Sequence, residues 1–323
     1  GMVLQAYDEL NQVAPEARYA DAVQTVMGSF VNEDGSINGY VQDKYNIDSV
    51  RAGTMLLRMY ERNQDPSYKK AVDTLFEQLE HHPRTSKGAF WHKKRYPYQV
   101  WLDGVYMGIP FLAHYETLMQ EEPNVDEVLA EFKVVNEILK DPETGLFYHA
   151  WDEKREQVWA DKETGLSGYH WARGMGWLAM ALVDVLDFIP QENAEDRQYL
   201  LDMIAEIAPV IEKYQDPETG TWWQIIDKPG KRANYRESTA STMFTYFFAK
   251  ALNQGYLPKD EYLDTAKKAY QGLLDEFVQV HADGTISITD MCQVAGLGYG
   301  RDGSYEYYMS EPIYDDDPKG TAP

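Results

Sequence analysis

Apolar residues recur at the i, i+3, i+4 spacing of amphipathic helices along most of this sequence. The spacing predicts helices over residues 2–12, 17–30, 47–63, 66–80, 97–117, 124–140, 171–188, 195–214, 237–253 and 259–277. Pro or Asp opens the best-defined segments, as in DPSYKKAVDTLFEQL, because both residues suit the start of a helix. The chain is therefore predicted to be all-α.

A loop with a recurring composition lies between alternate predicted helices. Each copy has a turn-forming Asp/Gly or Thr/Gly core and then an aromatic or β-branched tail. The five copies are EDGSING (33–39), RTSKGAFWH (84–92), DPETGLFYH (141–149), DPETGTWWQ (216–224) and HADGTISI (281–288). One repeat is thus a helix pair followed by one such loop.

Helix pairs of this length cannot bury their apolar faces alone, so successive pairs must pack side by side. Closure into an α/α barrel is favoured, because the aromatic and polar loops then form the rim of one cavity; an open superhelix is the alternative. No linker rich in Pro, Ser or Gly marks a boundary, and one domain over 1–323 is predicted.

Charge and composition exclude several classes of function. With 53 acidic and 30 basic side chains, the net charge of −23 would repel a nucleic acid. Charges interrupt every hydrophobic stretch, so no membrane partner is expected. One cysteine, Cys292, allows neither an intrachain disulfide nor a cysteine-rich zinc site, and the histidines are scattered. We therefore expect no metal and no cofactor, and a monomer or weak homodimer.

The first residues, GMVLQAYDEL, have the pattern of the inside of an amphipathic helix and no charged-then-apolar signal region. The sequence therefore leaves the compartment open between the cytoplasm and the periplasm of a bacterium.

A single carboxylate, Asp103, lies in the apolar segment WLDGVYMGIPFLAHY. An ionised carboxylate removed from water is costly unless it is paired or protonated. If Pro97 begins the helix, Asp103 lies about two turns inside it, where the helix dipole gives little benefit. We interpret Asp103 as a functional acid. Asp48 in YNIDSVRAG is a candidate partner, although Asn46 and Asp48 could instead cap a helix.

Cationic and aromatic residues near Asp103 suggest recognition of an anionic sugar. In WHKKRYPY, His92 and Lys93 are candidates to meet an anionic substrate, whereas Lys94 and Arg95 are interpreted as a solvated loop. Trp101 and His149 lie in or after two of the loop tails. His149 is the last residue of its loop, as His92 is the last residue of the preceding one.

The segment HWARGMGW (170–177) contains Trp171, Arg173 and Trp177 around two glycines. A guanidinium can donate two parallel hydrogen bonds to a carboxylate, and indole faces stack on sugars. This composition favours a carboxylate clamp with stacking walls; an element of core packing is the alternative.

Five motifs together resemble the unsaturated rhamnogalacturonyl hydrolases of glycoside hydrolase family 105, which are related to the unsaturated glucuronyl hydrolases of family 88. These motifs are PRTSKGAFWHKKRYPYQVWLDGVYMGIPF, GLFYHAWDE, HWARGMGWLAMALVDVLDFIP, NYRESTAS and RDGSYEYYMSEPIYDDDPKG. The resemblance runs through nearly the whole chain in consistent order. It implies an (α/α)6 barrel, here without the first and last helices of the family, that acts on a 4,5-unsaturated galacturonyl residue.

The resemblance also implies roles for single residues. Asp103 resembles the general acid/base and Asp48 its partner carboxylate. The expected subsite wall and further substrate contacts are His149, Trp171, Arg173, Trp177, His92 and Lys93. We also expect His149 to be catalytic, with Asp103 and Asp48, and Trp101 to bind the substrate. Met175 stands where relatives often have a polar residue, so hydrogen bonding to the sugar is expected to differ there.

The substrate would be a vinyl ether, protonated at C4 and attacked by water at C5. Apolar surroundings, and a proton shared with Asp48, are expected to raise the pKa of Asp103 so that it can donate this proton. The alternatives are a hydrolase for glycosaminoglycan-type unsaturated uronides, a conventional glycosidase, a sugar epimerase and a non-catalytic carbohydrate-binding protein. The sugar beyond the cleaved bond remains open.

Overall fold

The computed structural model describes residues 1–323 and consists mainly of helices. The helices are α1 Met2–Val13, α2 Ala17–Phe30, α3 Gly53–Asn63, α4 Pro66–Glu80, α5 Leu102–Met119, α6 Val125–Leu139, α7 Ala172–Val185, α8 Ala194–Lys213, α9 Ser238–Gln254, α10 Lys259–Glu276, α11 Tyr305–Ser310 and α12 Pro318–Thr321. Two 3₁₀ helices, Gln42–Lys44 and Ile47–Ala52, precede α3. Every segment with helical periodicity forms a helix.

The strands are short and form three antiparallel pairs. They are β1 Gln99–Trp101, β2 Ala150–Asp152, β3 Val278–Val280, β4 Ile286–Ile288, β5 Met291–Cys292 and β6 Ile313–Tyr314. β1 pairs with β2, β3 with β4, and β5 with β6. In the first pair, Trp101 lies opposite Ala150, which brings the loops before α5 and α7 together.

The helices form an (α/α)6 barrel, as predicted. α3, α5, α7 and α9 pack successively against one another, and each also packs against the helix that follows it. All residues of α7 and most of α5 are buried, whereas α8 and α10 keep an exposed face. A helix that is apolar on all sides belongs in the interior, so α5 and α7 lie in the inner layer.

Two glycines allow inner elements to approach closely. A Cβ atom on Gly108 of α5 would lie 2.9 Å from Cδ1 of Ile47, and one on Gly176 of α7 would lie 2.8 Å from Sδ of Met243. These contacts explain why the sequence accepts glycine inside helices, where it costs about 0.5–1 kcal/mol relative to alanine. Gly108 thereby lets the 3₁₀ segment carrying Asp48 pack directly on α5.

The repeated loops share one backbone conformation. Their glycines, at positions 35, 88, 145, 220 and 284, all have a positive φ between 75° and 93°. In four of them an Asp side chain accepts a hydrogen bond from the backbone two residues later, as Asp141 does from Glu143. A sixth copy, DKETG at 161–165, has the same features and was not predicted.

The predicted start of α5 at residue 97 is wrong. Residues Gln99–Trp101 pair with β2, and the helix begins at Leu102, whose N–H donates to the carbonyl of His149. This pairing involves residues about 50 positions away, which helical periodicity does not register. Asp103 therefore lies in the first turn of α5, not about two turns inside the helix.

Buried side chains form two hydrophobic clusters. The larger lies between the helices, and the smaller joins Trp101, Trp171 and Tyr308 beneath the loops at one end of the barrel. The smaller cluster also ties the segment after α10 to the starts of α5 and α7. None of the helices is both long and apolar enough to cross a membrane.

Candidate active site

A cavity of about 1000 Å³ opens where α5 and α7 begin. It is bordered by eight of the nine residues predicted from the sequence: Asp48, His92, Lys93, Trp101, Asp103, Trp171, Arg173 and Trp177. Asp103 and Arg173 occupy the second position of α5 and of α7, two inner helices that pack against each other. The barrel thus brings an acid and a guanidinium to one cavity.

Asp103 is paired with a buried histidine. Its Oδ2 atom lies 3.2 Å from Nε2 of His149, and its side chain keeps 19% of its surface exposed. His149 itself is completely buried and does not border the cavity. His149 was expected in the wall of the sugar subsite and as a catalytic residue; it lies behind Asp103 and contacts that carboxylate, and its catalytic role stays a prediction.

The expected rise in the pKa of Asp103 is contradicted. Burial would raise this pKa, but the hydrogen bond and charge of His149, with His92 and Arg173, outweigh burial and lower the pKa to about 2. The first-turn position favours the ionised form as well, because the N-terminal end of a helix carries partial positive charge. In this structure Asp103 is a carboxylate at neutral pH.

Tyr308 holds the far side of the His149 ring. The Tyr308 hydroxyl lies 2.9 Å from Nδ1 of His149, and both side chains are completely buried. A neutral ring that donates from Nε2 to Asp103 accepts a hydrogen bond from the Tyr308 hydroxyl at Nδ1, whereas a protonated ring donates to the Tyr308 oxygen. In either state this hydroxyl fixes the ring that meets Asp103.

Asp48 has a different partner from the one predicted. Its Oδ2 lies 2.6 Å from Nζ of Lys93, and its Oδ1 lies 3.5 Å from Nε2 of His92. Neither of these contacts involves Asp103, so the expected sharing of one proton between Asp48 and Asp103 stays a prediction. The ammonium group of Lys93, which was expected to meet the substrate, is paired with Asp48.

Arg173 is fixed by the segment that follows α10. It is almost completely buried, and its Nη1 donates to the carbonyl of Cys292 at 2.6 Å. The amide of Cys292 donates in turn to the buried carboxylate of Glu237, which also caps α9 through the Ala240 amide. The Arg173 guanidinium lies 4.8 Å from the centre of the Trp171 ring. It therefore borders the cavity in one fixed orientation.

Aromatic rings form two walls of the cavity. On one side the rings of His92 and Trp101 are stacked 4.3 Å apart, and the rings of Tyr96 and Trp101 are stacked 5.1 Å apart. On another side Trp177 stacks on Tyr106 at 5.1 Å. Burial lowers the pKa of His92 despite the facing Asp48.

Sequence reasoning missed several residues of the site. Tyr308 lies in a motif with four tyrosines, and nothing in the sequence indicates which of them faces His149. Arg51 is 6% exposed, borders the cavity and lies 4.5 Å over the Tyr106 ring. Its place in the apolar run VRAGTMLL was a usable signal. Met175 is buried in the main cluster and does not border the cavity.

No group of three or more His, Cys, Asp or Glu side chains in the structure is arranged to hold a metal ion. The cavity presents one carboxylate with its histidine, one fixed guanidinium, one Asp–Lys ion pair and stacked aromatic rings. Such a set can bind an anionic sugar and exchange a proton with it.

Solved structures and curated proteins include clear relatives. The structure of a glycoside hydrolase of family 105 from C. acetobutylicum ATCC 824 is 40% identical in sequence with a TM-score of 0.96, covering 99% of this chain and 89% of that chain. Protein Atu3128 of Agrobacterium fabrum is 35% identical over 227 residues, covering 67% of this chain and 94% of the relative. The unsaturated rhamnogalacturonyl hydrolase YesR of Bacillus subtilis is 27% identical over 249 residues, covering 75% and 66%.

The fold and the cavity together define a carbohydrate-active enzyme of the (α/α)6-barrel class. The sequence model of Glycosyl Hydrolase Family 88 matches residues 1–323, and the chain belongs to that family. It is a glycoside hydrolase of the family 88 and 105 type.

Proposed function

We propose that this enzyme removes the 4,5-unsaturated galacturonyl residue from the non-reducing end of rhamnogalacturonan lyase products. The observation that carries the proposal is the placement of Asp103 and Arg173 on adjacent inner helices, both facing one aromatic cavity. The similarity to a protein named unsaturated rhamnogalacturonyl hydrolase supports the choice of substrate.

Binding begins with the substrate carboxylate at C5. The Arg173 guanidinium offers two parallel hydrogen bonds to this group, while Trp171, Trp177 and Trp101 provide faces for the sugar ring. Local attraction by Arg173 is needed, because a chain with a net charge of −23 repels an anionic substrate.

Substrate binding is also what makes Asp103 an acid. In the free enzyme Arg173 is one of the groups that lower the pKa of Asp103. The negative charge of a bound carboxylate offsets the charge of Arg173, and the bound sugar excludes water. Both changes raise the pKa of Asp103. Asp103 therefore takes up a proton when the substrate binds.

The reaction then proceeds by hydration of the double bond. Asp103 transfers its proton to C4, and the positive charge at C5 is stabilised by the ring oxygen. Water attacks C5, and the Asp103 carboxylate accepts the proton that the water loses. The resulting hemiketal opens and the remaining sugar is released. The separation of two carboxylates does not decide the outcome here, because C1 is not attacked.

The test is a panel of unsaturated disaccharides from rhamnogalacturonan, homogalacturonan and glycosaminoglycan lyases, followed by loss of the ultraviolet absorbance of the double bond. The proposal predicts the fastest loss with the rhamnogalacturonan product and one deuterium at C4 when the reaction runs in D₂O. Release of a uronate that keeps its double bond would identify a conventional glycosidase. Faster turnover of glycosaminoglycan products would identify an unsaturated glucuronyl hydrolase.

A further inference from the structure

A second concave surface adjoins the candidate active site. It is a groove of about 530 Å³ lined by Asp43, Lys44, Asn46, Lys93, Lys94 and Arg95, without a single hydrophobic residue. Lys93 and Arg95 border both this groove and the main cavity. Four cationic side chains around one groove are unusual in a chain with 53 acidic and 30 basic residues.

The backbone holds the two loops of this groove in register. The amide of Lys94 donates to the carbonyl of Tyr45 at 3.1 Å, and the amide of Ile47 donates to the carbonyl of His92 at 3.2 Å. Asn46 and Lys93 form an antiparallel bridge between these bonds. The cations are therefore set side by side by main-chain contacts, which distinguishes them from a chance cluster of mobile lysines.

Most of this positive charge is not neutralised within the protein. Lys93 pairs with Asp48, but Lys44, Lys94 and Arg95 have no carboxylate within 4.0 Å. Lys94 lies 5.3 Å from the centre of the Tyr45 ring and Arg95 lies 4.3 Å from that of Tyr299. Such cation–π contacts orient a side chain and leave its charge available to an anion.

We propose that this groove binds a second anionic group of the substrate, a carboxylate or sulfate ester on the part beyond the cleaved bond. The proposal rests on the proposed function. Arg173 already provides for the uronate carboxylate inside the cavity, and a groove without apolar residues offers no face for sugar stacking. The groove can therefore bind an anionic group but does not stack on a sugar ring. Because it adjoins the main cavity, it favours acidic oligosaccharides over neutral ones as substrates.

The test compares three substrates with the same unsaturated uronate. They are a disaccharide with neutral rhamnose, a rhamnogalacturonan tetrasaccharide with a second uronate, and a disaccharide whose rhamnose carries a sulfate. The variant is Lys44→Gln/Lys94→Gln, because neither residue borders the main cavity. The control is Lys133→Gln/Lys213→Gln, which removes two exposed lysines that also lie over tyrosine rings, on α6 and α8.

The proposal predicts that kcat/KM falls about fivefold for at least one anionic substrate in the groove variant, a size typical of exposed ion pairs. The fall should vanish at high salt, and kcat/KM for the neutral disaccharide and in the control variant should stay unchanged. A response to the tetrasaccharide indicates a carboxylate, and a response to the sulfated disaccharide indicates a sulfate. Equal changes for all three substrates, or none, would overturn the groove assignment.

Failure of the proposed function would look different. In that case the wild-type enzyme would turn over none of the three substrates. Calorimetric titration of the tetrasaccharide and of the sulfated disaccharide into the wild-type protein and the groove variant then tests the groove directly. Weaker binding to the variant supports the groove, and equal Kd values for both ligands overturn it.

Discussion

Tyr308→Phe removes one oxygen atom from the support beneath Asp103 and leaves the ring volume unchanged. The Tyr308 hydroxyl is the partner of Nδ1 of His149 at 2.9 Å, and Nε2 of the same ring meets Asp103 at 3.2 Å. Because His149 is completely buried, water cannot replace the lost hydroxyl without rearrangement. The substitution should therefore affect both stability and catalysis.

The expected sizes follow from the cost of a lost buried hydrogen bond. Leaving Nδ1 without a partner should lower the free energy of unfolding by about 1–3 kcal/mol. The loss of transition-state stabilisation through a less well oriented His149 should be no larger than the net value of one hydrogen bond, about 0.5–1.5 kcal/mol. That range corresponds to a fall in kcat of about two- to twelvefold.

The matched control is Tyr305→Phe, on the same short helix. Tyr305 is also buried, but its hydroxyl donates to the carbonyl of Arg232 at 3.0 Å and does not contact His149. Urea unfolding should show a loss of stability for both variants, whereas ultraviolet kinetics with the rhamnogalacturonan disaccharide should show a lower kcat only for Tyr308→Phe. Equal kcat values in the two variants would refute the role assigned to Tyr308.

Three further predictions concern charge and substrate. Arg173→Met should raise KM about 10- to 100-fold, since hydrogen bonds to a charged group are lost, and an unchanged KM would argue against the clamp. The pKa of Asp103 is lowered from 3.8 to about 2, so its ionised form adds about 2 kcal/mol of stability above its ordinary pKa, lost as the pH falls towards 2. Unfolding free energies measured from about pH 5 to 2 should thus fall more steeply for the wild type than for Asp103→Asn; parallel curves contradict this. Saturated galacturonides should yield no product by chromatography, because they have no double bond to protonate, and their cleavage would favour a conventional glycosidase.

Local features of the sequence predicted most of the fold. Helical periodicity depends on neighbours three and four residues apart, and the repeated loops depend on an Asp and a Gly within one turn. Both signals lie within short stretches of chain, so both could be recognised without knowing the packing. The pairing of β1 with β2 joins distant segments, and for that reason the start of α5 was misplaced.

Only part of the candidate site could be predicted, because some of its features are local in the sequence and others depend on contacts between distant segments. A carboxylate in an apolar helix and an arginine between tryptophans are visible in the sequence, and the barrel brings Asp103 and Arg173 to one cavity. The direction of the Asp103 pKa shift was wrong, because the groups that lower the pKa come from other segments. Neither the Asp48–Lys93 ion pair nor the contact of Tyr308 with His149 can be recognised from neighbouring residues in the sequence.

The most direct measurement for the central claim is the turnover of Asp103→Asn with the rhamnogalacturonan disaccharide, together with its Kd by calorimetry. Loss of a general acid typically costs about 10²–10⁴ in rate, so kcat should fall by that factor. The Kd should stay close to the KM-derived affinity of the parent, because Arg173 and the aromatic walls remain. Turnover near that of the wild type would contradict the proposal that Asp103 protonates the substrate.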